Sequence, residues 1–380
     1  MIKVAFIDDG INSEFVPNGI FFENYSADKN GVYLDTPVCT VSHGTICYQI
    51  FQSNTTNKYQ LISIKVLDNE TGVGNHNALL VALEWCASQN IDLINISAGT
   101  KQYTDFAPIS QIIKNMQKSI IVAACSNENE IAFPACLPTV VGVRHCNREE
   151  LVNEIAYFQN PYDQIEVMTC VKDVIVSLGN GETMLVNGAN SFAAPLVTAR
   201  IFNYLTHGFH TLECVRNQLV ASSVKNISFA SYDFYKGRHY KWSKCEVPVI
   251  AVPDTTAETN HIIKKLLEAF VQDEYRAITI STTQNTCVES FTYAINECNK
   301  KNFSDMQLIE LYYNFMLPDI IFLQMKIEDI YVLPKELHAS IILKHQSDKN
   351  SEYEKCGREY VLTITESTDK LFSRIVGLLT

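Results

Sequence analysis

Three short segments of the 380-residue sequence hold side chains that could share one piece of chemistry. In Val4-Ala5-Phe6-Ile7-Asp8-Asp9-Gly10 an apolar run ends in a carboxylate. This puts Asp8 at the C-terminal edge of a buried strand, where open α/β sheets hold their ligands. In Ser42-His43-Gly44-Thr45 an imidazole stands at what reads as a helix start. In Asn187-Gly188-Ala189-Asn190-Ser191-Phe192-Ala193-Ala194-Pro195 a serine among small residues opens a helical run. A hydroxyl in that place has main-chain N–H groups without helical partners beside it, and the helix dipole favours developing negative charge. Pro195 falls close to the first turn, where its missing N–H should remove little or no bonding. No one of these segments carries chemistry alone. Together they suit acyl transfer.

Such side chains have to be positioned by a sheet. Short β-branched runs at 2–7, 60–66, 91–97, 120–124 and 140–143 alternate with helical patterns. One pattern spans 77–86, and another puts Ile109, Ile112, Ile113 and Met116 on one face. Further helices are predicted from about Ser191 to Leu205 and from Thr211 to about Ala221. Strands apolar on both faces and separated by helices indicate a parallel sheet covered on two sides. The pattern breaks over the polar, aromatic, locally basic residues 223–246. It resumes with strands at 247–252, 277–280, 320–323 and 360–364 and helices at 258–271, 288–299 and 369–379. The sequence therefore predicts two α/β domains, 1–222 and 247–380, joined by a linker, 223–246. The second is smaller and Rossmann-like. Its segment Val252-Pro253-Asp254-Thr255-Thr256-Ala257 stands where a phosphate-binding loop would, yet it contains no glycine. Docking of a substrate or partner is its expected role, rather than nucleotide binding.

Asp, His and Ser in that chain order is the order of subtilisin-type enzymes. Residues 4–10, 43–45 and 189–195 resemble the three catalytic blocks of the subtilisin-like serine peptidases, the subtilases. Intervening blocks are similar too: Ile64-Lys65-Val66-Leu67-Asp68, Gly74, the helix to Trp85, and 91–99 resemble the family's central strands and crossover helix. Val122-Ala123-Ala124-Cys125-Ser126-Asn127-Glu128 resembles its oxyanion block, followed by Phe133-Pro134-Ala135. The resemblance covers roughly residues 2–222 and implies a subtilisin-like parallel sheet flanked by helices. It implies Ser191 as nucleophile, His43 as general base and Asp8 as the group that holds the imidazole's tautomer. It also implies that Asn127 and the Ser191 N–H receive the oxyanion, and that Ser97, Ala98 and Gly99 pair with an extended substrate. Glu128, at the rim of the P1 pocket, would favour Lys or Arg there, or equally stand as a solvated rim carboxylate. The sequence departs from the family at Ala189 and Asn190, where Gly-Thr is usual, and at Ser126, where Gly is usual. These departures bear on rate, and the alternative function is a peptide-binding scaffold that hydrolyses weakly or not at all. Asp9 is expected to turn away from Asp8 and serve the turn.

Composition narrows the partners. The net charge of -12 divides into -9 over residues 1–222 and -3 over the rest, a surface that repels phosphate backbones. The linker residues Phe234, Tyr235, Arg238, His239, Tyr240, Lys241 and Trp242 accordingly read as a domain seam rather than a grip on RNA. No apolar run reaches the eighteen or so residues of a membrane span. The 12 cysteines include no Cys-x-x-Cys and read as single reduced thiols, with Cys47, Cys86 and Cys125 inside catalytic-domain blocks. His145-Cys146, Cys125 and Cys136 likewise read as buried structure rather than a metal cluster. Asp28, Asp35, Asp68 and Glu70 form no contiguous calcium loop. No metal and no cofactor is expected. A core strand directly after Met1 leaves no signal peptide, which points to a cytoplasmic enzyme. Its expected partner is a peptide or protein, processed in a limited way such as removal of a leader from a ribosomally made peptide. The C-terminal domain is the expected docking place for that precursor.

Overall fold

Strands buried on both faces must lie inside a sheet covered by helices, and a computed structural model of the chain has that arrangement twice. It describes residues 1–225 and 227 apart from 37, 69–73, 75, 117, 129, 160 and 162. Beyond these it describes 247–253, 256–284, 286–295, 305–326, 328–329, 340–345, 360–364 and 367–379. The chain divides into two compact units, Met1–Ser231 and Tyr232–Thr380. Residues 228–246, which include the aromatic and basic part of the expected linker, lie outside the described residues, as do Asp254 and Thr255.

The first unit begins β1 (Ile2–Asp8), β2 (Phe21–Asp28), β3 (Gly31–Leu34), α1 (His43–Ser53), β4 (Tyr59–Lys65), α2 (His76–Ser88), β5 (Leu93–Ile96) and α3 (Phe106–Asn115). It continues with β6 (Ile120–Ala124), β7 (Val141–His145), β8 (Ile155–Tyr157), β9 (Val167–Thr169), β10 (Val174–Gly179), β11 (Glu182–Val186), α4 (Asn190–Thr206) and α5 (Leu212–Ser222). One sheet has the order β3-β2-β4-β1-β5-β6-β7-β9-β8. Its central pairings are parallel, with Asp8 level with Lys65 of β4 and Ile7 level with Ile96 of β5. Antiparallel pairs form only the two edges, β2 with β3 and β8 with β9.

Neither edge pair has the apolar run that marks the central strands, and the sequence pattern passes over both. It also passes over the β10–β11 hairpin, which carries a readable signal. Asn180 and Gly181 have φ of 52° and 82°, the two left-handed residues that a tight hairpin turn requires.

An aromatic cluster ties the helices to this sheet. Phe51 of α1 packs edge-on against Phe6 of β1, Tyr59 of β4 and Phe202 of α4, with centroids 5.4, 5.2 and 5.6 Å away. All four rings are buried, and each such pair adds about 0.5–1.5 kcal/mol beyond burial. Because α1 starts at His43 and α4 bears Ser191, this cluster sets the distance between two of the three chemical groups.

The second unit is described by β12 (Val249–Val252), α6 (Ala257–Gln272), β13 (Ala277–Ser281), β14 (Thr292–Ala294), α7 (Asp305–Met316), β15 (Ile320–Gln324), β16 (Ile341–His345), β17 (Tyr360–Ile364) and α8 (Thr368–Leu379). Its sheet has the order β14-β13-β15-β12-β16-β17, and every pairing in it is parallel. The helix expected over 288–299 is not formed in its described part. Val288–Ser290 make a single 3-10 turn that ends where Phe291 takes a φ of 48°. Residues 292–294 then extend along the edge of β13, which captures their main-chain groups. The structure adds α7 and β16, which the sequence pattern did not separate. Among the described residues, no helix is long and apolar enough to cross a membrane.

Replacing Phe51 by Ala should cost about 3–5 kcal/mol in urea denaturation. The same change at Phe21, which is 58% exposed, should cost under about 0.5 kcal/mol.

Candidate active site

The site begins with a carboxylate that has left water. β1 carries Asp8 to the sheet's C-terminal edge at 1% exposure, where a charge must find hydrogen-bonding partners or be neutralised. His43 supplies one: its Nδ1 lies 2.9 and 3.0 Å from the two Asp8 oxygens. The other ring nitrogen, Nε2, lies 2.9 Å from Ser191 Oγ. Sequence reading named all three residues, and the fold brings them into one hydrogen-bonded line across 183 positions of chain, from 8 to 191.

Two features hold the imidazole there. Ser42 caps α1, accepting the Thr45 N–H through its hydroxyl while donating to the Gly10 carbonyl. Asp9 then accepts the N–H groups of His43 and Gly44 at 3.1 and 2.7 Å. Its carboxylate therefore sits at the positive end of the helix, a role more specific than the turn expected for it. The close approach requires Gly44, since a Cβ there would come within 2.6 Å of the Gly10 carbonyl oxygen. Burial, then the charge of Asp8, raises the Asp9 pKa, opposed by those two N–H bonds. On its open side the His43 ring stacks against Phe192, with centroids 5.1 Å apart.

Pro195 changes the local bonding more than its position suggested. It is the sixth residue of α4, so its missing N–H leaves the Ser191 carbonyl without the usual partner four residues on. The thiol of Cys47, buried on α1, donates to that carbonyl at 3.4 Å. Cys47 Sγ in turn accepts from the Ser97 hydroxyl at 3.6 Å and lies 3.8 Å from His43 Nδ1. The cysteine thus fills a bonding vacancy that proline creates beneath the serine.

The segment after β6 reaches the start of α4. Asn127 is exposed, and its Oδ1 accepts the Asn190 N–H at 3.1 Å. Among the described residues, the Ser191 N–H has no acceptor. Ala189 has a φ of -137°, a value open to any residue, so the alanine introduces no strain. Ser97 follows β5 and accepts from Asn95, which in turn accepts from Thr198 of α4. Ala98 and Gly99 make no main-chain bond to a neighbouring strand among the described residues. Glu128 is exposed and paired with Lys101, which also holds Glu130 at 2.9 Å. Sequence reading did not find Lys101, and only the fold brings these two loops together.

Asp8, His43 and Cys47 form one group, among the described residues, whose ligand atoms lie within 4.8 Å of one another. His145, Cys146, Cys125 and Cys136 are not brought together in this way. Asp28 and Asp35 instead bond locally around the β2–β3 hairpin, and Glu70 lies outside the described residues. All six of the buried described cysteines are free thiols. Burial pushes Cys86 up to about 12 and Cys146 up to about 11, so these are inert at neutral pH.

Burial disfavours the imidazolium of His43, but the hydrogen bonds and charge of Asp8, with the contact to Cys47 Sγ, oppose it, and the pKa is raised above the ordinary 6.5. Burial also raises the Cys47 thiol, which is uncharged at neutral pH. The charge acting on the imidazolium is therefore that of Asp8. An arrangement of hydroxyl, neutral imidazole and buried carboxylate can deprotonate the hydroxyl as it attacks a carbonyl.

Known proteins share this arrangement's sequence frame. The family model described as "Subtilase family" matches residues 1–234. The major intracellular serine protease of Bacillus subtilis (strain 168) is 24% identical over 219 residues, 53% of this chain and 67% of its own. Subtilisin of Bacillus pumilus is 25% identical over 257 residues, 62% of this chain and 87% of its own. A solved structure of the prenylagaramide maturation protease PagA is 22% identical, with a TM-score of 0.44, over 59% of this chain and 84% of that one.

If His43 serves as a base it must be neutral, and kcat/KM for peptide cleavage should then fall as pH drops through its raised pKa, with a midpoint above pH 6.5. Asp8→Asn should move that midpoint down and lower kcat by about 10⁴-fold. A pH–rate profile of both proteins checks this.

Proposed function

The chain belongs to the subtilase family, and on that premise we propose that it is a serine endopeptidase working through an acyl-enzyme. The observation that carries this reading is the line of 2.9 Å contacts from Asp8 through His43 to Ser191. Ser191 Oγ attacks the scissile carbonyl carbon while His43 Nε2 takes its proton. Asp8 holds Nδ1–H, which fixes the tautomer that leaves Nε2 as acceptor. The oxyanion is received by Asn127 Nδ2 and the Ser191 N–H, and loss of such a donor costs about 10²–10³ in kcat. Collapse breaks the C–N bond as His43 returns the proton to the leaving amine. Water then attacks the acyl carbon with His43 again as base, releasing the acid and restoring Ser191.

Substrate would lie along Ser97, Ala98 and Gly99 as an added strand. Glu128 would stand at the P1 rim, where a basic P1 side chain would compete with Lys101 for it. The family match ends at residue 234, leaving a separate α/β unit that would dock a precursor peptide. On this ground we assign limited processing in the cell, such as leader removal from a ribosomally made peptide, rather than general digestion. The similarity to an enzyme named as intracellular agrees with that setting.

Incubation with a diverse peptide library, read by mass spectrometry, should give one dominant cleavage motif, and Ser191→Ala should give none. Cleavage by the alanine variant would refute the nucleophile, and unrestricted cutting by the wild type would refute limited processing.

A further inference from the structure

Asn190 replaces the family's usual threonine beside the nucleophile, and its surroundings explain what an amide does there. The residue is 6% exposed. Its Oδ1 accepts the main-chain N–H of His145, at the end of β7, at 2.8 Å. Its Nδ2 donates to the Ser126 carbonyl at 2.9 Å, and its own N–H donates to Asn127 Oδ1 at 3.1 Å. These partners admit one orientation only. A main-chain N–H can only donate and a carbonyl can only accept, so the Asn190 oxygen must face His145 and its nitrogen must face Ser126. For the same reason the oxygen of Asn127 faces the Asn190 N–H, which leaves Asn127 Nδ2 as the outward donor.

A single buried amide therefore joins β7, the segment after β6 and the first turn of α4. It also links two of the three family departures, because Ser126, standing where glycine is usual, is the residue whose main-chain carbonyl it holds. A threonine has one hydroxyl, and that oxygen would have to serve both the His145 N–H and the Ser126 carbonyl.

We propose that Asn190 is a positioning residue for the oxyanion site, acting through Asn127. It fixes the Ser126–Asn127 peptide and the carboxamide rotamer so that Nδ2 is aimed before substrate arrives. This rests on the protease reading above. Preorganised donors cost no reorganisation at the moment of reaction, so losing the clamp should lower kcat while leaving ground-state binding little changed.

The test is a double-mutant cycle on the full chain, with kcat expressed per active site by fluorophosphonate titration so that misfolded protein is not counted. Asn190→Ala should lower kcat by about 10- to 100-fold with KM within about twofold. In an Asn127→Ala background the same change should lower kcat by less than about threefold, since the group it positions is gone. Asn190→Thr, which keeps a hydroxyl beside the His145 N–H, repeats the cycle if the alanine variant folds poorly, and should fall between wild type and alanine. Equal losses in the two backgrounds, or a loss confined to KM, would overturn the assignment. A wild type that neither reacts with the probe nor turns over would instead sink the protease reading, which separates the two failures.

Discussion

The structure of the first unit turns on a carboxylate buried at the end of its central strand. Asp8 is 1% exposed, and an ion so placed is tolerated only with close, well-aligned partners. The demand fixes what surrounds it. His43 must begin a helix at that spot, so α1 is capped by Ser42 and by Asp9, and Gly44 must lack a side chain to let the helix meet β1. The same Asp8 carboxylate favours a charged His43 ring, as the proposed proton transfer from Ser191 would require. Packing answers the electrostatics: Phe51 and Phe202 hold α1 and α4 together so that Nε2 reaches Ser191.

Around this line the chain breaks several local rules, and each breach meets a specific compensation. Pro195 in the second turn of α4 removes a helical bond, and the Cys47 thiol takes up the Ser191 carbonyl. Asn190 stands where the family uses threonine, and its amide is satisfied by main-chain groups of two other segments, the His145 N–H and the Ser126 carbonyl. Local inconsistency concentrated at one place, with partners supplied from distant segments, is the pattern of a functional site rather than of a poorly specified fold.

How much of this was legible in the sequence depends on the length scale of each cause. The central strands and crossover helices were readable because burial on both faces, or on one helical face, writes a periodic apolar pattern. Asp8, His43 and Ser191 were readable because their chain order and flanking segments together resemble the subtilase catalytic blocks; the element boundary beside each would not have singled it out alone. The edge pairs β2–β3 and β8–β9 were not, since strands that are short or of mixed polarity have no distinctive period. Within the segment 288–299, which reads as helical, residues 292–294 instead pair their main chain with the edge of β13. Asp9, Cys47, Lys101 and the clamp at Asn190 act through contacts across 27 to 144 positions. No local window contains both partners of such a contact.

The account stands or falls on whether Ser191 is activated by the line from Asp8 through His43. The most direct measurement is reaction of the intact protein with a fluorophosphonate at pH 8, followed by peptide mass mapping. The account requires a single adduct on Ser191 that is lost in His43→Ala. No adduct, an adduct on another residue, or undiminished labelling without His43 would contradict it.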